Sequence, residues 1–349
     1  MRSVTNQKKR PVFLIFVLLG ILFVLFFIAD LFLGATIIPV REVFSALFSP
    51  AATADTTRTV ILDFRLPKAL TAILTGAALS LSGLQMQTIF RNPLAGPYVL
   101  GISAGASLGV ALFVLGFSSA FTYGIFSITG AWSLALVAWV GSFLVILLVL
   151  YVSAKVNDIM TILILGILFS SAVSAIVSIL QYFSEESMLK AFIIWTMGSL
   201  GSVTKSQLMV LAPAVGTGVL LAFLKVKDLN AFLLGEDYAR SLGVTVKTSR
   251  MVVLLSTSIL AGTITAFCGP IGFIGIAVPH ICRVIFKTAS HMILVPAVIL
   301  TGSIVMLFSD IVSQVPGVQA TLPINSVTAL IGIPVIVWMI VKNRKFISV

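Results

Sequence analysis

The chain has 349 residues, of which 59% are hydrophobic and only 9% charged, whereas a soluble domain carries about 25% charged residues. That excludes an ordinary soluble domain and makes a lipid bilayer the solvent. The formal net charge of +11 does not point to nucleic acid, because the basic residues fall in short clusters between apolar stretches and not along one solvated face.

In chain order, a basic N-terminus from Met1 to Arg10 precedes an apolar run from Val12 to Leu33. The run lacks a small-residue cleavage signature, so a retained first helix is expected and not a removed signal peptide. Stretches able to cross about 30 Å of hydrocarbon lie near 12–34, 66–88, 98–117, 128–153, 159–182, 207–224, 250–268, 271–286, 293–313 and 323–341. The expected fold is therefore all-α and polytopic, a single transmembrane domain over 1–349 with about ten helices. The eighth span is short and interrupted by Gly272, Gly275 and Pro279, which makes it the least regular.

Placing the N-terminus inside puts 16 of the 22 Lys and Arg residues on the cytoplasmic side, so the positive-inside rule predicts that both termini are cytoplasmic. Two loops are long. Residues 34–65 fall outside. Residues 225–249 fall inside and mix charge with Leu and Ala at helical spacing, an amphipathic segment that needs a partner for its apolar side. The acidic pair Glu236 and Asp237 argues against an anionic lipid surface as that partner. Both halves of the chain hold a Gly/Pro-broken stretch, at 92–105 and 269–279. Such a pair is the pattern of inverted repeats around a transport pathway, or of plain close packing by small residues.

No catalytic set assembles. His280 and His291 have no carboxylate near them in sequence, and a structural role is expected for both. Cys268 and Cys282 lie in apolar surroundings without ligand spacing and are expected to be buried small hydrophobes. There is no Gly-Lys dipeptide and hence no P-loop, so ATP energy would have to come from another subunit. Proton- or sodium-coupled carriers place carboxylates deep in the bilayer. Here Asp30 and Asp310 lie near outer helix ends and the other nine acidic residues are in loops, which disfavours a secondary transporter. A membrane-embedded enzyme is opposed by the lack of a paired nucleophile and base. Ser170, Ser174 and Ser178 recur at i, i+4, i+8 on the fifth span, with Gln181 near its end. They either line a passage for a polar cargo or let helices approach and hydrogen-bond. Thr71, Thr75 and Ser82 on the second span carry the same two readings, with packing favoured.

Four segments carry a resemblance: RLPKALTAILTGAALSLSGLQMQTIFRNPLAGPYVLGISAGASLG (Arg65 to Gly109), LLGEDYARSLGV (Leu233 to Val244), GPIGFIGIAVPHICR (Gly269 to Arg283) and LPINSVTALIGIPVIVWMI (Leu322 to Ile340). In order and spacing they resemble the FecCD-type permeases, membrane subunits of bacterial importers for ferric siderophores, haem and cobalamin. The resemblance implies a type II ABC importer architecture in the bacterial cytoplasmic (inner) membrane. It implies a second permease subunit forming a homodimer, two cytoplasmic ATPase subunits that bind ATP and Mg in place of this chain, and an extracytoplasmic binding protein. It further implies that Arg65 and Lys68 dock the binding protein, Lys68 standing where the family motif has Arg. The coupling segment that meets the ATPase then includes Leu233, Gly235, Glu236, Asp237, Arg240 and Gly243. The inner gate falls at Asn157, Asp158, Ile159, Met160 and Thr161, where the hydroxyl residues often found in the family are largely replaced. The expected cargo is a ferric siderophore or similar metal chelate, with cobalamin or haem as the alternatives.

Overall fold

The computed structural model describes residues 12–34, 38–49, 53–116, 131–156, 158–314 and 321–342. Ten of its helices correspond to the ten expected spans. They are α1 (Val12–Phe32), α3 (Asp55–Ile89), α4 (Ile102–Val114), α5 (Ala131–Lys155), α6 (Ile159–Tyr182), α8 (Lys205–Leu224), α11 (Val246–Cys268), α12 (Ile274–Phe286), α13 (His291–Ser313) and α14 (Ile324–Lys342). Four shorter helices complete the order: α2 (Val40–Phe48) and α7 (Glu186–Thr196) at one end of the bundle, and α9 (Val226–Phe232) and α10 (Glu236–Ser241) at the other. Among the described residues, eight helices are long and apolar enough to cross a membrane, and α4 and α12 are two shorter ones.

The short helices have local causes. Before α4 the chain turns through a 3-10 segment, Pro97–Leu100, and Gly101 at φ +78°, so the third span begins at residue 102 and not at 98. Before α12 it runs irregularly from Gly269 to Phe273. These two irregular segments touch. The Ile271 N–H donates to the Tyr98 hydroxyl at 3.3 Å. The second span differs at its start: the helix begins at Asp55, and Val60–Arg65 widens into a π-turn just before Pro67, whose ring nitrogen has no hydrogen to continue the ladder.

The centre of the bundle is the pair α3 and α11, whose apolar windows are 83% and 78% buried, against 6% for α1 and 22% for α6. The pair is antiparallel. Thr75 meets Cys268, and two to three turns further along α3 Gln85 donates to Ser256. In a bilayer, apolar burial gives little drive for helices to associate, so contact area and small residues decide which ones pack closely. A Cβ on Gly83 would sit 1.7 Å from the Gly275 carbonyl oxygen and one on Gly76 would sit 2.1 Å from that of Gly302, so only glycine lets α3 touch α12 and α13 backbone to backbone.

The two halves repeat this arrangement. α3 packs on α13 and α11 packs on α5, while the broken helices α4 and α12 pack on α5 with α6 and on α13 with α14. Four helices of each half thus follow one order, a long central helix, a broken one, a long one and a peripheral one, and the antiparallel central pair sets them as an inverted repeat would. Both readings of the glycine-broken stretches hold together: they pack closely and they mark the repeat.

Candidate functional site

Charged side chains concentrate at the two ends of the bundle. At one end, Asp30 of α1 and Asp310 of α13 are 3% and 1% exposed and face each other. Lys68 Nζ pairs with Asp310 Oδ1 at 2.9 Å. Gln314 donates its amide to Asp310 Oδ2 at 3.0 Å and to Asp30 Oδ1 at 3.3 Å, and Arg65 Nη1 donates to the Leu31 carbonyl at 2.9 Å. Two basic and two acidic residues thus meet at this end. Arg65 and Lys68 line one cavity of about 710 Å³ with Phe64, Gly198, Gly201 and Leu322. Lys68 does not project as a separate surface charge; its ammonium belongs to Asp310. Neither Asp310 nor Gln314 was singled out as a partner of these basic residues from sequence, although the acid's place near a helix end was visible.

At the other end, the 225–249 loop folds into α9 and α10. Asp228 Oδ2 accepts from Lys225 Nζ at 2.8 Å and from Ser249 Oγ at 2.6 Å. Burial is the largest influence on the Asp228 carboxyl and pushes it up, but the Lys225 and Ser249 hydrogen bonds with the Lys225 charge outweigh it and hold the group below its ordinary range. Gly235, at φ +116° and ψ 151°, takes a backbone conformation that side chains strongly oppose. Glu236 turns inward and pairs with Arg250 at 2.5 Å. The rest of the expected coupling set faces out: Leu233, Asp237, Arg240 and Gly243 are exposed, and so are Leu234, Tyr238 and Leu242 beside them. The apolar side of the loop thus has two parts. Leu229, Ala231, Phe232 and Ala239 pack under the bundle, and a second group of leucines with Tyr238 stays uncovered.

Beneath the loop, His291 is fully buried. Asn230 Oδ1 accepts from both the His291 backbone N–H at 2.7 Å and Nδ1 at 3.0 Å, so Nδ1 carries the proton, and Nε2 lies 2.8 Å from the Thr88 hydroxyl. This ties α9 to the ends of α3 and α13, the structural role expected of a lone buried histidine. Cys268 and Cys282 are likewise buried and free.

Of the expected gate, Asn157 lies outside the described residues. Asp158 caps α6, accepting from the backbone N–H groups of Met160 and Thr161 at 3.2 and 3.0 Å and from the Thr161 hydroxyl at 2.7 Å. The Thr161 hydroxyl bond, followed by the two backbone ones, holds its carboxyl below the ordinary range. Ile159 opens the helix and Met160 is exposed. Along α6, Ser170 is half-buried and donates to the Gly166 carbonyl at 2.8 Å, Ser178 is exposed and donates to the Ser174 carbonyl at 2.9 Å, and Gln181 is half-buried. Ser174 is exposed, as is Ser171, which sequence spacing missed. An exposed row of serines on an otherwise apolar helix suits water or protein better than lipid.

A model of the FecCD transport family matches residues 21–342. The hemin transport system permease protein HmuU of Yersinia pestis is 32% identical over 341 residues, 97% of this chain and 98% of the relative. The vitamin B12 import system permease protein BtuC of Salmonella typhi is 34% identical over 285 residues, 82% of this chain and 84% of that one. A chain solved in an inward-facing conformation of a transporter described as metal-chelate ABC type superposes with a TM-score of 0.80 at 30% identity, covering 94% of this chain and 99% of that one. The family match covers residues 21–342 and these relatives align over most of their length, and the chain belongs to the FecCD transport family.

Proposed function

We propose that this permease moves a metal chelate through a pathway formed between two copies of the chain, driven by a separate ATPase seated on the exposed face from Leu233 to Leu242. The observation that carries the reading is the serine row on α6. Ser171, Ser174 and Ser178 lie on the outside of a single chain, where lipid would leave their remaining hydrogen-bonding capacity unused. Against a second copy they would line a neutral passage, which suits a large polar cargo that must slide past without being held.

Both termini and the 225–249 loop then face the cytoplasm, in accord with the charge bias. Arg65 and Lys68 face the outside, where the cavity between them would receive a delivery protein. An iron chelate, haem or ferric siderophore, comes before cobalamin because the hemin permease aligns over more of the chain. The test is uptake by the chain reconstituted with its ATPase and binding protein, offering haem, a ferric hydroxamate and cobalamin in turn. Vanadate-sensitive uptake of one of them is expected. Vanadate-insensitive uptake by the chain alone would replace this reading with an ion-coupled carrier.

A further inference from the structure

Arg250 is a charged side chain at the foot of a membrane helix, and it is only 5% exposed. Taking a guanidinium out of water costs several kcal/mol unless a countercharge and hydrogen bonds replace the water. Its countercharge comes from outside the bundle: Glu236, in the first turn of α10, meets Arg250 Nη2 at 2.5 Å. α10 therefore cannot lift away from α11 without separating a buried ion pair.

A further element converges on the same turn. The Arg91 guanidinium, at the end of α3, lies 3.3 Å from where a Cβ on Gly235 would stand, so the bend ahead of α10 is fitted closely against α3. Three parts of the chain thus meet at this turn: α10 through Glu236, α11 through Arg250, and the stretch just after α3 through Arg91 beside Gly235. The outer side of α10 stays open, since the Asp237 side chain is fully exposed and Tyr238 is 51% exposed.

We infer that Arg250 is a positioning residue that fastens α10 to the foot of α11, so that a push on the exposed face of the loop moves that helix with it. The inference rests on the reading that this face meets an ATPase, and it adds the route by which motion enters the bundle. The contact with Glu236 is an ion pair, and lysine keeps the charge that such a pair needs. Lysine should therefore serve in its place, whereas a neutral side chain should not.

Spin labels at Asp237→Cys and Met160→Cys, in the full chain with Cys268→Ala and Cys282→Ala, give the distance between α10 and the start of α6. In lipid nanodiscs a single narrow distribution is expected. Glu236→Gln, the milder change because that side is half-exposed, and Arg250→Gln should each broaden it at least about twofold, and Arg250→Lys should keep it narrow. A distribution unchanged in Glu236→Gln, or Arg250→Lys as broad as Arg250→Gln, overturns the inference. In the assembled importer, ATP hydrolysed per haem moved should rise about fivefold or more in Glu236→Gln, within the range of ordinary coupling energies, and stay near wild type in Arg250→Lys. Equal coupling in all variants also overturns it. Loss of ATP-dependent uptake in the wild-type assembly would instead overturn the proposed function, leaving the label distances to decide the role of Arg250.

Discussion

The two ends of the bundle both carry buried ion pairs, but the pairs join different things. At the Arg65 end, Lys68 and Asp310 come from α3 and α13, two helices already in backbone contact at Gly76 and Gly302. With Asp30 and Gln314 they close a brace among membrane helices. At the Arg250 end, Glu236 sits on α10, a short helix with much of its surface uncovered, and Asp228 sits on α9, which packs under the bundle by Leu229 and Phe232. The same chemistry therefore serves rigidity at one end and leverage at the other. What separates the two is whether both partners already belong to the packed core.

Removing one partner of the brace should have the largest effect on stability. Asp310→Ala leaves Lys68 beside α13 without its carboxylate. Breaking a buried pair in this way costs about 3–5 kcal/mol, and the low end is expected because Lys68 can turn toward the cavity. Thermal unfolding of the purified protein should show a clear loss, and an unchanged midpoint would make this end no firmer than the other. Tyr238→Asp tests the opposite end. The side chain is 51% exposed, so stability should stay within about 0.5 kcal/mol while stimulated ATP hydrolysis by the assembly falls. A stability loss as large as that of Asp310→Ala would mean that α10 is packed and not presented.

Eight of the ten helices are legible as long apolar runs and α4 and α12 as shorter ones, and all ten lie within a few residues of their expected places except where glycine and proline reshape the start of α4 and where Asp55–Arg65 extends α3. The short helices α2 and α7 escaped because nine and eleven residues give too few turns for a periodic signal. The partners of Lys68 and Arg65 were hidden by distance along the chain: Gln314 bonds a residue 284 positions away. Glu236 illustrates a different limit. Its presence in the coupling segment was visible, but whether it pointed to solvent or to Arg250 depends on how the loop folds back. The serine row shows how spacing misleads. Steps of four residues drift about 40° each on a helix of 3.6 residues per turn, so Ser170 and Ser178 are about 80° apart. Ser170 turns toward Gly101, where a Cβ would stand 3.2 Å from its hydroxyl, and Ser171 and Ser178 stay exposed.

The smallest effect expected is that of acid on the loop. Asp228 has a folded-state pKa below its ordinary value, so its ionised form is the one that folding favours. Such a group contributes stability that is fully present above the unfolded carboxylate pKa of about 3.9 and is lost as the pH falls through the lower folded value. The clamp of Lys225, Asp228 and Ser249 should therefore hold α9 against α11 at neutral pH and loosen only below about pH 4. Hydrogen exchange at residues 226–232, corrected for intrinsic rates, should show α9 opening sooner than the core of α11 in that window. Asp228→Asn should show the same opening at neutral pH, because it removes the charge without the acid. At the Arg65 end the Lys68–Asp310 pair lies within helices buried against each other, and the adjoining amides of α13 should keep their protection in Asp228→Asn. If the asparagine variant protects 226–232 as well as the wild type does, the hydrophobic contacts of Leu229 and Phe232 hold α9 unaided, and the leverage at this end falls to Glu236 and Arg250 alone.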